Sequence, residues 1–160
     1  MTSLLAIAKT LPSVSLPAGA VLVPEGEHTG VLFILLEGSV DILKGDVLID
    51  TVSEPGALFG EISALLDTPH MATVRAATPV HVVRIEDAPT FLGAHPDLAL
   101  DIARLLAARL SNVVAYLADL KRQFAGHSHL AMVDEVLDAL VHQQRQPFTP
   151  GSSREPDPNR

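Results

Sequence analysis

The apolar positions of the chain change their spacing several times, and each change marks a different kind of element. Leu4, Leu5, Ile7, Ala8 and Leu11 fall within residues 1–15 at helical intervals, predicting a short amphipathic helix stopped by Pro12. From residue 16 to 86 the pattern turns to short β-branched runs: Val21–Val23, Val31–Leu36, Ser39–Leu43, Val47–Val52, Ala72–Ala76 and Val80–Ile85. Seven of the ten glycines (Gly19, Gly26, Gly30, Gly38, Gly45, Gly56 and Gly60) punctuate these runs. Many short strands with regular turn signals predict an antiparallel jelly-roll-like sandwich or barrel. Lys44-Gly45-Asp46, between two apolar runs, reads as a tight hairpin.

After residue 85 the period becomes helical again. Ile85–Gly93 predicts a short helix with Asp87 in its first turn, and Pro96 opens a long helix reaching about Phe124. Along it Leu106, Leu110, Val113, Leu117, Leu120 and Phe124 are spaced 4, 3, 4, 3 and 4, a heptad seam that extends back through Ala103 and Ala99. Ile102 and Leu105 make a second stripe. One stripe can pack on the β-domain, and the other calls for a matching helix, which predicts a homodimer through residues 99–124. Beyond Ala125-Gly126, Leu130, Val133, Leu137, Leu140 and Val141 predict a helix over 129–144. The last fourteen residues hold four prolines and cannot bury enough surface to offset chain entropy, so they read as a disordered tail. The expected organisation is therefore a domain over 1–125 that includes the long helix, a short helix within 126–145, and a tail over 146–160.

Composition narrows the classes of function. A hydrophobic share of 48% in 160 residues supports a full core, and a formal charge of -8 opposes general binding to phosphate backbones. Residues 126–160 carry Arg145, Arg154 and Arg160 against five acids, so neither their length nor their charge suits a DNA-reading helix pair, and no nucleic-acid partner is expected. With no cysteine, thiolate metal sites and thiol catalysis are excluded. The longest pure apolar run, Val31–Leu36, is far short of the roughly 20 residues a membrane span needs. Residues 1–9 lack a basic leader region, so no signal peptide or membrane partner is expected and the cytoplasm is the predicted location. The one His-x-His, His127-Ser-His129, lies outside the β-rich zone, and no serine has a nucleophile-elbow context. Neither a metal, a cofactor nor catalytic turnover is expected.

Chemistry concentrates in Phe59-Gly-Glu-Ile-Ser-Ala-Leu-Leu66 and the following Pro69-His-Met-Ala-Thr-Val-Arg-Ala76. A glycine just before a short helix lets backbone approach a ligand, and Glu61 could accept hydrogen bonds from a sugar hydroxyl or simply complement the helix dipole. Together with Leu16-Pro-Ala-Gly19, Glu25-Gly-Glu27, Glu37-Gly-Ser-Val40 and Pro55–Glu61, this stretch resembles the cyclic nucleotide-binding domain of the catabolite activator family over residues 11–124. The resemblance implies a β-roll of about eight antiparallel strands, a short helix and a long dimerising helix.

The resemblance also implies a ligand site at Phe59, Gly60, Glu61, Ile62, Ser63, His70, Met71, Ala72 and Val113. Glu61 would hold a ribose 2′-hydroxyl. His70 stands where the family has the arginine that grips the cyclic phosphate, and Met71 where it has a small residue. Arg75 keeps a family arginine, but strand alternation turns it to the face opposite residues 70, 72 and 74. Exchanging a fixed planar fork for an imidazole removes a charge-assisted bond of about 1.5–3 kcal/mol, a roughly ten- to hundredfold loss in affinity. In the long helix the base-facing pair falls on Val113 and Val114, an apolar wall that reads no exocyclic amine. Two functions follow. One is a non-catalytic sensor that takes a cyclic nucleotide (cAMP or cGMP) or a related anion and relays it through the long helix to a protein partner. The other is a ligand-free domain kept for dimerisation or docking. In the first, affinity should strengthen from about pH 8 to 6 as phosphate favours the imidazolium.

Overall fold

The computed structural model describes residues 4–123 and 134–138. The chain falls into two compact units, Met1–Ala103 and Arg104–Arg160. The first unit opens with helix α1 (Leu4–Ala8), closed by the Lys9 N–H on the Leu5 carbonyl (3.0 Å) and the Thr10 hydroxyl on that of Ile7 (2.7 Å). Eight strands follow: β1 (Ser13–Leu16), β2 (Val21–Val23), β3 (Leu32–Glu37), β4 (Val40–Lys44), β5 (Val47–Val52), β6 (Leu58–Phe59), β7 (Thr73–Ala76) and β8 (Val80–Ile85). Helix α2 (Glu61–Leu66) sits between β6 and β7, and α3 (Ala88–Ala94) and α4 (Pro96–Gln123) come after β8.

The strands form two four-stranded sheets, in the orders β1-β8-β3-β6 and β2-β7-β4-β5, with every pairing antiparallel. The expected mainly-β roll with flanking helices is the fold observed. Alternation along each strand fixes the two faces of the sheets. Phe33 and Leu35 of β3, Val80 and Val82 of β8, and Val40 and Val74 of the second sheet meet in one interior cluster. Leu32, Ile34, Val83 and Ile85, on alternate positions, are buried as well, and both α1 and α2 pack on β3. Cover on both faces explains why β3 is apolar without interruption from Leu32 to Leu36. Strand β5 is the opposite case. It closes the margin of its sheet, and Val47, Leu48 and Ile49 are exposed.

Turn chemistry accounts for several connections. Lys44 pairs with Val47 across the two-residue turn Gly45-Asp46, and Gly45 takes φ 57°, which a side chain would resist. Asp87 caps α3 from outside: its Oδ1 accepts from the Thr90 N–H at 3.3 Å, so it is the N-cap residue and not a member of the first turn. Phe91 stacks on His95 at 4.0 Å where α3 ends, and α4 starts at the next residue, Pro96.

Two strands depart from the expectation. The segment read wholly as a helix and its stop contains β1 from Ser13, and β6 was absent from the strand pattern. Both gain order by pairing, β1 with β8 and β6 with β3, rather than from their own sequence. In α4, Leu98 and Ile102 are buried. In the second unit, α4 exposes Leu110, Val113 and Tyr116, residues 134–138 are helical, and Lys121 forms an ion pair with Asp134. Most of the helix expected over 129–144, and the whole tail over 146–160, lie outside the described residues. Among the described residues no helix is long and apolar enough to cross a membrane.

Candidate functional site

The site is built around one turn. Phe59, buried in β6 and paired with Phe33, delivers the chain to Gly60, which takes φ 82° and ψ 1° and is the N-cap of α2. A Cβ at this position would run into the Val31 carbonyl oxygen, and it would lie 3.5 Å from His70 Cε1 and 3.6 Å from Val23 Cγ2. Only glycine fits both the left-handed backbone and the close approach. The turn places Glu61 at the first position of α2, where the helix dipole favours its carboxylate, and the residue is only 8% exposed. Ser63, also buried, donates its hydroxyl to the Thr68 carbonyl, and Ile62 faces outward. Helix α2 ends at Asp67, in the left-handed region at φ 55°, whose Oδ1 meets His28 Nε2 at 2.7 Å.

The second strip of the site, His70-Met71-Ala72, is stitched to the loop before β3. The Gly26 N–H donates to the His70 carbonyl and the His70 N–H to the Glu27 carbonyl, both at 2.9 Å. The His70 ring is 4% exposed, and its Nε2 lies 2.7 Å from the Thr29 hydroxyl. Burial holds the imidazole below the ordinary histidine value of 6.5, and His28 adds to the effect while Glu27 opposes it. The ring is thus neutral at pH 7, and the expected strengthening of affinity moves to lower pH than the window of 8 to 6. Met71 is 63% exposed. In β7, Val74 and Ala76 point inward while Arg75 points out, its guanidinium 4.0 Å from Asp41, as alternation required.

The fold therefore brings the segment carrying Phe59, Gly60, Glu61, Ile62 and Ser63 close to the strip carrying His70, Met71 and Ala72 at one point, where a Cβ on Gly60 would lie 3.5 Å from His70 Cε1. Val113 belongs to the second unit and is half exposed there. Sequence reasoning missed Thr29, Glu25 and Lys44. No local pattern marks Thr29, which reaches His70 across 41 positions of chain. A groove of about 380 Å³, lined by Leu11, Pro12, Ile85 and Phe91 among others, contains no residue of the expected site. Among the described residues no cluster of His, Cys, Asp or Glu suits a metal ion.

Residues 13–89 match the model of the cyclic nucleotide-binding domain, and the segment belongs to that family. The CRP-like cAMP-activated global transcriptional regulator of Mycobacterium tuberculosis is 30% identical over 125 residues, covering 74% of this chain and 56% of that protein. The cAMP-dependent protein kinase regulatory subunit of Aspergillus fumigatus is 35% identical over 80 residues, covering 49% of this chain and 19% of that one. Among solved structures, PKAR CBD2 bound to Sp-2Cl-cAMPS is 28% identical, with a TM-score of 0.53 over 68% of this chain and 70% of that one. The chain spans little more than half the length of the first of these curated relatives, and about a fifth of the second.

Proposed function

We propose that this chain is a non-catalytic sensor domain that takes a cyclic nucleotide, cAMP or cGMP, in the seat between the Gly60 turn and the His70–Ala72 strip. The observation that carries the reading is the buried carboxylate of Glu61, held at the head of α2 by a turn only glycine can make and set beside the strip that includes His70. A carboxylate so placed can accept from a ribose hydroxyl, and the His70 ring and Met71 backbone lie on the phosphate side of such a ligand by the family's pattern. The relatives named above include a cAMP-activated regulator and a cAMP-dependent kinase subunit, which supports the ligand class. The exposed Leu110 and Val113 support self-association through α4, by which binding would be relayed to a protein partner in the cytoplasm.

The ring of His70 favours the second reading, a docking module that binds no nucleotide: it is neutral, buried and already engaged by Thr29. Calorimetric titration with cAMP and cGMP separates the two. In the sensor reading, affinity strengthens as pH falls, at lower pH than an unperturbed imidazole would give, and His70→Arg tightens binding about tenfold or more by restoring a permanent charge. Binding to the arginine variant alone identifies the docking module, and no binding by either protein removes the nucleotide seat.

A further inference from the structure

The tip of the β4–β5 hairpin reaches back to the ligand strip. Lys44 Nζ donates to the Met71 carbonyl at 2.7 Å and pairs with Glu25 Oε1 at 3.0 Å. The other oxygen of Glu25, Oε2, accepts from the Gly45 N–H at 2.8 Å, and the Glu25 N–H donates to Thr73 Oγ1 at 3.1 Å. One lysine and one glutamate therefore join three segments: the hairpin tip, the loop before β3, and residues 71–73. The same loop makes both main-chain bonds to His70 through Gly26 and Glu27. Gly45 and the hairpin supply the rigid side of this arrangement, because β4 is paired on both edges, with β5 and β7.

We infer that Lys44 and Glu25 are positioning residues that hold the Met71 carbonyl and, through the 25–27 loop, fix where His70 and Ala72 present themselves to a ligand. The inference rests on the proposed nucleotide seat for its functional consequence, but the structural part stands on the contacts alone. Both side chains lie at the surface, Lys44 the more exposed, and exposed ion pairs contribute little to global stability. Their effect belongs instead to the local order of a strip that has no regular secondary structure between Asp67 and Thr73. The hydrogen bond from Gly45 and the pairing with Lys44 hold the Glu25 carboxyl below its ordinary value of 4.5, so the latch stays closed through the neutral range.

The test compares wild type with Lys44→Met and Lys44→Arg by amide hydrogen exchange in the ligand-free protein, and by titration with cAMP and cGMP. In Lys44→Met the amides of Gly26 and His70 should exchange at least about threefold faster while that of Val82 is unchanged. Affinity should fall about two- to fivefold, consistent with loss of one exposed charged contact, and Lys44→Arg should recover both. Unaltered exchange at Gly26 and His70 in Lys44→Met overturns the inference. So does faster exchange with unaltered affinity in a protein whose wild type binds nucleotide. Should wild type bind neither nucleotide, the proposed function fails, and the exchange comparison with its arginine rescue still decides whether the latch positions the strip.

Discussion

Replacing Gly60 by alanine probes the turn on which the site depends, and Gly45→Ala supplies its control. Both glycines have positive φ, 82° and 57°, so each alanine carries the left-handed penalty of about 1–2 kcal/mol, offset in part by the lower entropy of an unfolded alanine. At Gly45 a new Cβ meets nothing within 4 Å, which leaves a net cost of about 1 kcal/mol. At Gly60 the same atom overlaps the Val31 carbonyl, a backbone group that cannot swing away as a flexible side-chain end could, and comes into ordinary contact with His70 and Val23. Overpacking of this kind adds about 2 kcal/mol, for a total near 3 kcal/mol. The difference corresponds to a roughly 30-fold larger unfolding constant for Gly60→Ala than for Gly45→Ala. In urea, with unchanged m-values, the two midpoints should differ by about 1 M. Coincident midpoints would show that the approach of Gly60 to the Val31 carbonyl is not tight, and the account of why the site needs glycine would fall.

Other positions give sharper or simpler readings. Leu35→Ala removes a fully buried side chain from between the sheets and should cost about 2–5 kcal/mol in chemical denaturation; a loss under 1 kcal/mol would mean the interior is loosely packed. Because the Glu25 carboxyl lies below its unfolded value, its contribution to stability is complete above pH 4.5 and lost as pH falls through the lowered value. Glu25→Gln should therefore lower thermal stability slightly near pH 7 and converge with wild type as pH falls through that acid range; equal melting temperatures at pH 7 would remove the pairing as a source of stability. Val113→Glu places a charge in the exposed seam of α4 and should convert a dimer to a monomer in analytical ultracentrifugation; a monomeric wild type would rule out the seam as the dimer contact.

The parts of the fold written locally were legible in the sequence. Val47–Val52 and Val80–Ile85 are runs whose ends coincide with β5 and β8, and Pro96 marks the start of α4 because a proline fits the first helical turn. Ser13–Leu16 and Leu58–Phe59 were not legible, since four and two residues carry no period that can be told from a loop, and their order comes from β8 and β3. The site divides in the same way. Gly60 and Glu61 announce themselves by adjacency, a left-handed turn followed by a helix start. The titration of His70 is depressed first by burial and then by His28, against the opposing Glu27, and its ring meets Thr29; these groups are distant in sequence and brought near only by folding, so the depressed titration had no local signal.

The hairpin whose tip reaches the Met71 carbonyl also has an outward side. Strand β5 shows Val47, Leu48 and Ile49 to water along a sheet margin, the sort of edge onto which a foreign strand can add. Asp46 and Asp50 bracket those three residues and act as gatekeepers by charge repulsion. That repulsion is screened at high ionic strength, so a concentrated stock in strong salt should begin to cluster at this hairpin while the roll is still folded.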